Sequence, residues 1–179
     1  FYLHIYLLIT VLLFNYNKKF GIINISELGR YKCRRILMNW TKEQSEAINI
    51  RNKNVLVAAA AGSGKTAVLV ERIRKLVCEE NVPVSSLLVV TFTKAAAAEM
   101  KEKIRKSLSQ ELKTLQEEQR GLSKSGQGAS GFDDEAREKI KYIKAQLSDL
   151  PQADICTFHA FALTVIRRFF YLIDIEPGL

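Results

Sequence analysis

The segment Ala59-Ala60-Ala61-Gly62-Ser63-Gly64-Lys65-Thr66 lies between an apolar run, Asn54-Val-Leu-Val-Ala58, and a helical pattern from Ala67 to Val77. Strand, tight turn, then helix is the setting in which a backbone wraps polyphosphate: N–H groups point inward and a helix N-terminus stands behind them. Gly62 and Gly64 remove the Cβ where the chain must curl. Lys65 brings charge to the β and γ oxygens, and Thr66 offers a hydroxyl to Mg²⁺. Ala59 stands where the strict G-x-x-x-x-G-K-[ST] pattern has its first glycine, so the match is to the relaxed form.

A chain of 179 residues has room for one core, or one domain with appendages. The net charge of +8 invites a nucleic-acid reading, but its distribution weakens it. Residues 1–37 carry Lys18, Lys19, Arg30, Lys32, Arg34 and Arg35 against Glu27; subtracting that +5 leaves +3 for residues 38–179. The basicity therefore says little about the domain's partner. Cys33, Cys78 and Cys156 are odd in number and lack metal spacing, which fits a reduced, cytoplasmic protein.

Phe1–Phe14 is apolar, but 14 residues fall short of the ~20 that span a bilayer. A basic stretch ahead of it and an Ala-x-Ala site behind it are both missing, so it makes a poor signal peptide. Met38-Asn-Trp-Thr opens a well-formed domain. The expectation is that residues 1–37 are a translated upstream leader and Met38 the start, with Arg34-Arg35 translating a ribosome-binding sequence. A membrane-touching arm is the alternative.

From Thr41 the pattern is regular. Thr41 and Gln44 form a capping box, and Ala47 and Ile48 continue that helix. Asn54–Ala58 is the first expected strand, residues 65–78 a helix, and Leu87–Val90 a second strand, apolar throughout as in a parallel sheet. A long helix starts near Lys94, with Ala97, Met100, Ile104, Leu108, Leu112 and Leu115 on one face. Glu99/Lys103 and Glu102/Lys106 lie on its wet side. Gly121–Gly131 holds four of the nine glycines and is expected to be a flexible loop. A helix resumes over Asp133–Leu150 with Ala136, Ile140, Ile143, Leu147 and Leu150 on one face, and Pro151 ends it. Ala153–Cys156 reads as a third strand and Thr157 to about Tyr171 as a helix. Three strand–helix alternations predict an α/β fold, a parallel sheet with crossover helices.

Two further segments belong at strand tips, where ligands bind in such sheets: Thr91-Phe92-Thr93-Lys94 and Thr157-Phe158-His159-Ala160-Phe161. Hydroxyls at helix starts suit nucleic-acid phosphates and exposed aromatics suit stacked single-strand bases. The same threonines also serve as plain helix caps, and the same phenylalanines as plain core.

Together with Gln44, these segments occur in a known order. From about Met38 onward the chain resembles superfamily-one DNA helicases of the UvrD/PcrA/Rep type. Gln44 falls at the adenine-reading glutamine motif, residues 59–66 at motif I, Thr91–Met100 at motif Ia and Thr157–Phe161 at motif Ib. Lys94 and Ala160 depart from the family pattern, which bears on individual DNA contacts. The alanine-rich entry Val57–Gly62, the four alanines Ala95–Ala98, the long segment between motifs Ia and Ib and the run Val165–Asp174 look most like the larger, A-type chains of AddAB-type helicase–exonucleases.

The resemblance implies a P-loop NTPase (RecA-like) sheet, an incomplete N-terminal part of helicase domain 1A. It implies ATP and Mg²⁺ as cofactors, single- and double-stranded DNA as partners, and a B subunit. It also implies 3′→5′ translocation, unwinding and nuclease processing of double-strand breaks for recombination. Lys65 and Thr66 would be catalytic, Gln44 would read adenine, and Thr91, Phe92, Thr93, Thr157 and His159 would contact DNA. An adjacent Asp-Glu pair after a strand, needed to hold Mg²⁺ and orient water, is missing. Asp174 and Glu176 imitate it at what reads as a helix end. The expectation is an N-terminal fragment that binds ATP weakly on its own. A helicase without nuclease and a non-catalytic nucleotide-binding module remain alternatives.

Overall fold

The structure, a computed structural model, describes residues 40–60, 62–124, 130–169 and 171. The expected leader, Ala61, the middle of the glycine-rich loop, and Asp174 with Glu176 lie outside the described residues.

Helix α1 (Lys42–Asn49) begins at the capping box expected for it: the Gln44 N–H donates to the Thr41 hydroxyl, and the Thr41 N–H donates to Gln44 Oε1 at 3.0 Å. Helix α2 (Lys65–Cys78) ends where Asn81 takes up a left-handed conformation. There the N–H groups of Glu80 and Val82 turn back onto the carbonyls of Lys75 and Leu76. A 3-10 turn at Val84–Ser86 leads into β1 (Leu88–Thr91). Helices α3 (Lys94–Lys124) and α4 (Ser130–Asp149) then form a long hairpin, and a turn over Leu150–Gln152 leads to β2 (Asp154–Thr157) and α5 (Phe158–Phe169).

β1 and β2 pair in parallel with Leu88 opposite Asp154 and Thr91 opposite Thr157. The α3–α4 hairpin is the crossover that parallel pairing requires. The described fold is thus α/β with a small parallel sheet. Each strand is set one residue later than the sequence suggests, because Leu87 closes the preceding turn and Ala153 closes the other.

One expectation fails. The apolar pattern predicts a buried strand at Asn54–Ala58, yet residues 54–60 form no ladder among the described residues, and Leu56 is 84% exposed. An apolar run becomes a strand only where backbone edges lie alongside it. Among the described residues β1 pairs with β2, and residues 54–60 pair with neither. The glycine-rich loop is also narrower than its composition suggests: α3 runs on through Gly121 to Lys124, and α4 starts at Ser130. With no proline to stop it, a helix tolerates a single glycine at about 1 kcal/mol.

The helical stripes hold as read. Ala97, Met100, Ile104, Leu108 and Leu115 of α3 and Ala136, Ile140 and Ile143 of α4 are buried, and Leu112 and Leu147 pack against them. Ile73 and Val77 of α2, Val84, Val89 and Ile155 complete one core between helices and sheet. Glu99–Lys103 and Glu102–Lys106 pair on the open side. Two polar devices sit inside. Gln146 of α4 accepts the Val84 N–H at 2.8 Å, where a bare amide would otherwise be buried.

The second device is Arg74 of α2, which reaches Glu71, Glu79 and Glu111 of α3 at 2.7 to 3.1 Å. Burial works to lower the Arg74 pKa, but the bonds to Glu71 and the charge of Glu111 outweigh it, so it is held above its usual value and stays charged. Cys78 and Cys156 are free thiols; burial, then the Glu111 carboxylate, pushes Cys78 up to about 12. Among the described residues, no helix is long and apolar enough to cross a membrane.

The Tyr142 hydroxyl is buried without a hydrogen-bond partner. Deleting such a group removes a desolvation cost without losing a bond. Tyr142→Phe is therefore expected to raise the unfolding free energy by about 1 kcal/mol in a urea titration. A loss of the same size would mean that the hydroxyl is bonded.

Candidate functional site: a phosphate loop beside two exposed strand tips

The loop before α2 takes the shape its glycines allow. Gly62 and Gly64 have φ of +79° and +80°, a region that costs other L-residues about 1–2 kcal/mol. A Cβ on Gly62 would meet nothing within 4 Å, so it is the positive φ rather than crowding that calls for glycine there. α2 starts without a side-chain cap and without an acidic residue in its first turn. The helix thereby presents unpaired N–H groups and a partial positive charge to whatever faces it.

Lys65, half-buried, donates from Nζ to the carbonyls of Ala59 at 2.6 Å and Ala60 at 2.7 Å. The ammonium thus lies across the mouth of the loop. Gln44 ties the loop to α1: while its Oε1 holds the Thr41 N–H, its Nε2 donates to the Ser63 carbonyl at 3.2 Å. Thr66, one residue into α2, is half-buried beside them. These residues suit a polyphosphate: cationic donor, glycine turn and uncapped helix start. For the metal they offer one hydroxyl. Among the described residues, no group of three or more His, Cys, Asp or Glu could hold an ion.

The two strand tips sit side by side through the Thr91–Thr157 register. Thr91 and Thr157 are buried, and their hydroxyls face inward to local duty. Thr91 donates to the Thr93 carbonyl, and Thr157 accepts the Ala160 N–H as the cap of α5. Thr93 caps α3 through the Ala96 N–H while remaining exposed. Cap duty, the plainer reading, is present for Thr93 and Thr157 but not for Thr91, whose hydroxyl donates to a carbonyl.

The aromatic side chains do not follow the plain-core reading. Phe92 is 60% exposed and Phe158 61%, one at each tip, with His159 edge-on to Phe158 at 6.4 Å between ring centroids. Phe158, which the sequence leaves open between base contact and core, stands as exposed as Phe92. Between α3, β2 and α5 runs an open groove of about 310 Å³ lined by Lys94, Lys101, Cys156, Thr157 and Ala160. Burial, then the Asp154 charge, raises the pKa of the Cys156 thiol. The structure thus groups Gln44, residues 59–60 and 62–66 at one place, and Phe92, Thr93, Phe158 and His159 at another.

Residues 40–179 match the UvrD/REP helicase N-terminal domain. The chain belongs to the UvrD/REP helicase family. Within the family it is similar to the A-type subunits of ATP-dependent helicase/nucleases. The Lactobacillus gasseri protein of that name is 44% identical over 141 residues, 79% of this chain and 10% of that one. Its Clostridium perfringens counterpart is 47% identical over 141 residues, 78% of this chain and 9% of that one. The chain thus spans about a tenth of the length of these curated relatives.

Gly62→Ala tests the loop geometry on which this family site rests. It meets no steric obstacle but must adopt the left-handed turn, and is expected to cost about 1 kcal/mol of stability. An unchanged denaturation midpoint would mean that the turn is not formed.

Proposed function

We propose that the chain is the N-terminal, nucleotide-binding part of an ATP-dependent DNA helicase with an associated exonuclease, built on a RecA-like P-loop sheet. The observation that carries this reading is Lys65 bridging the Ala59 and Ala60 carbonyls over two left-handed glycines at an uncapped helix start. ATP with Mg²⁺, when bound, supplies the phosphoanhydride whose hydrolysis drives movement along DNA.

Lys65 would exchange two carbonyl acceptors for anionic oxygens, adding charge–charge attraction to bonds that its ammonium already assists. The N–H groups at the start of α2 complete the anion cradle. Thr66 would offer its hydroxyl to the metal, and Gln44, which bonds the Ser63 carbonyl of the loop, would read the adenine. Thr91 and Thr157 sit paired at the strand tips, while Phe92, Thr93 and His159 meet single-stranded DNA. Phe92 and Phe158 stack on bases, a contact worth about 1–3 kcal/mol per base.

In the whole protein the activity is 3′→5′ translocation and unwinding of DNA, with nuclease processing of double-strand breaks for recombination. It takes place in the cytoplasm, in complex with a B subunit. Support for the nuclease and the partner comes from the names of the helicase/nuclease relatives.

Lys65→Ala in the full-length protein is expected to lower DNA-stimulated ATP hydrolysis by about 10²-fold or more while leaving the circular dichroism spectrum unchanged. Retained hydrolysis would refute the role given to Lys65.

A further inference from the structure

Helix α1 has eight residues and buries one of them, Ile48. Helices this short do not persist by themselves, yet Gln44 on its first turn must be held steady over the loop. The opposite end of α1 supplies the hold. The last carbonyls of a helix lack internal partners, and here side chains from the α2 region take them. Arg72 of α2 donates from Nη1 to the Ala47 carbonyl at 2.6 Å. Arg51 donates to the Ile48 carbonyl at 2.7 Å and is itself clamped by Glu80, just past α2. Lys75 of α2 donates to Asn49 Oδ1 at 2.7 Å. α1 is therefore a strut held at both ends: by Gln44 on the Ser63 carbonyl of the loop at one, and by Arg72 of α2 on the Ala47 carbonyl at the other.

Of these anchors, Arg72 alone rises from within α2 to a backbone carbonyl of α1, so it transmits the position of α2 to α1 directly. Arg51 lies on the same side of the link as α1, and Lys75 holds a side chain rather than the backbone. Among the described residues the hydrogen bond of Arg72 goes to Ala47 and not to the loop; it sits seven positions beyond Lys65 in the sequence, two helical turns along α2.

We propose that Arg72 is a positioning residue for base recognition: it fixes α1, and through α1 the Gln44 amide, in register with the phosphate loop. The proposal rests on the nucleotide-binding reading of that loop. It separates two functions of the site. Phosphate capture belongs to Lys65 and the start of α2. Base selection belongs to Gln44 and depends on Arg72.

The test uses the full-length protein and three probes, ATP, GTP and inorganic tripolyphosphate, with dissociation constants measured by calorimetry. Arg72→Met is expected to weaken ATP binding about tenfold, the size of one lost charged contact, and to erase the preference for ATP over GTP. Tripolyphosphate binding should stay within about twofold, since the cradle is untouched. Gln44→Ala should do the same, and the double variant should be no weaker than either single one. Arg72→Lys, which keeps a cation on the same stem and guards against misfolding of the methionine variant, should restore much of the preference. Equal weakening of all three probes by Arg72→Met, or full additivity with Gln44→Ala, would overturn the proposal and leave Arg72 a stability residue. ATP binding that is indifferent to Lys65→Ala would instead overturn the reading of the loop, and this proposal with it.

Discussion

Helix α2 has to start without a cap and still be held firmly. A serine, threonine or aspartate before Lys65 would satisfy its first amides and contribute about 1 kcal/mol, but it would also close the place where an anion can dock. Gly64 stands there instead, in a left-handed conformation with no side chain to donate or accept. The fold offsets the missing cap along the rest of the helix. Ile73, Leu76 and Val77 are buried in the core, and Arg74 locks the C-terminal half to Glu111 of α3. Removing one partner of such a buried pair typically costs about 3–5 kcal/mol, so the far end of α2 is anchored strongly enough to leave its near end open.

The same division explains α1. Burying Ile48 alone does not offset the conformational entropy lost in ordering eight residues. Polar links to α2 and the loop add to that burial, and one of them, from Gln44 to the Ser63 carbonyl, reaches the glycine turn before α2. Helix α5 shows the opposite arrangement: it has no fully buried residue, and Leu163, Val165 and Phe169 stand exposed.

What the sequence makes legible is local. The Thr41–Gln44 box and the stripes of α3 and α4 depend on residues three or four apart, and they appear in the structure as written. The loop's glycines are legible because a positive φ has few other occupants. The Asn54–Ala58 run misleads because strandedness depends on a neighbour, and no pattern within five residues says whether one is present. Arg72 is invisible for a related reason. Its partner is a backbone carbonyl 25 positions away, which carries no side-chain signature. The double duty of Thr93, cap and surface hydroxyl, is legible as two alternatives, and the structure holds both.

The central claim is that the amides opening α2 are kept free for a triphosphate. Hydrogen–deuterium exchange of the peptide covering residues 62–68, followed in the full-length protein with and without ATP and Mg²⁺, tests this most directly. The account predicts slowed exchange there and at Gln44 on nucleotide addition, with the buried stretch of α3 unchanged. Identical exchange in both conditions, or protection confined to other segments, would contradict it.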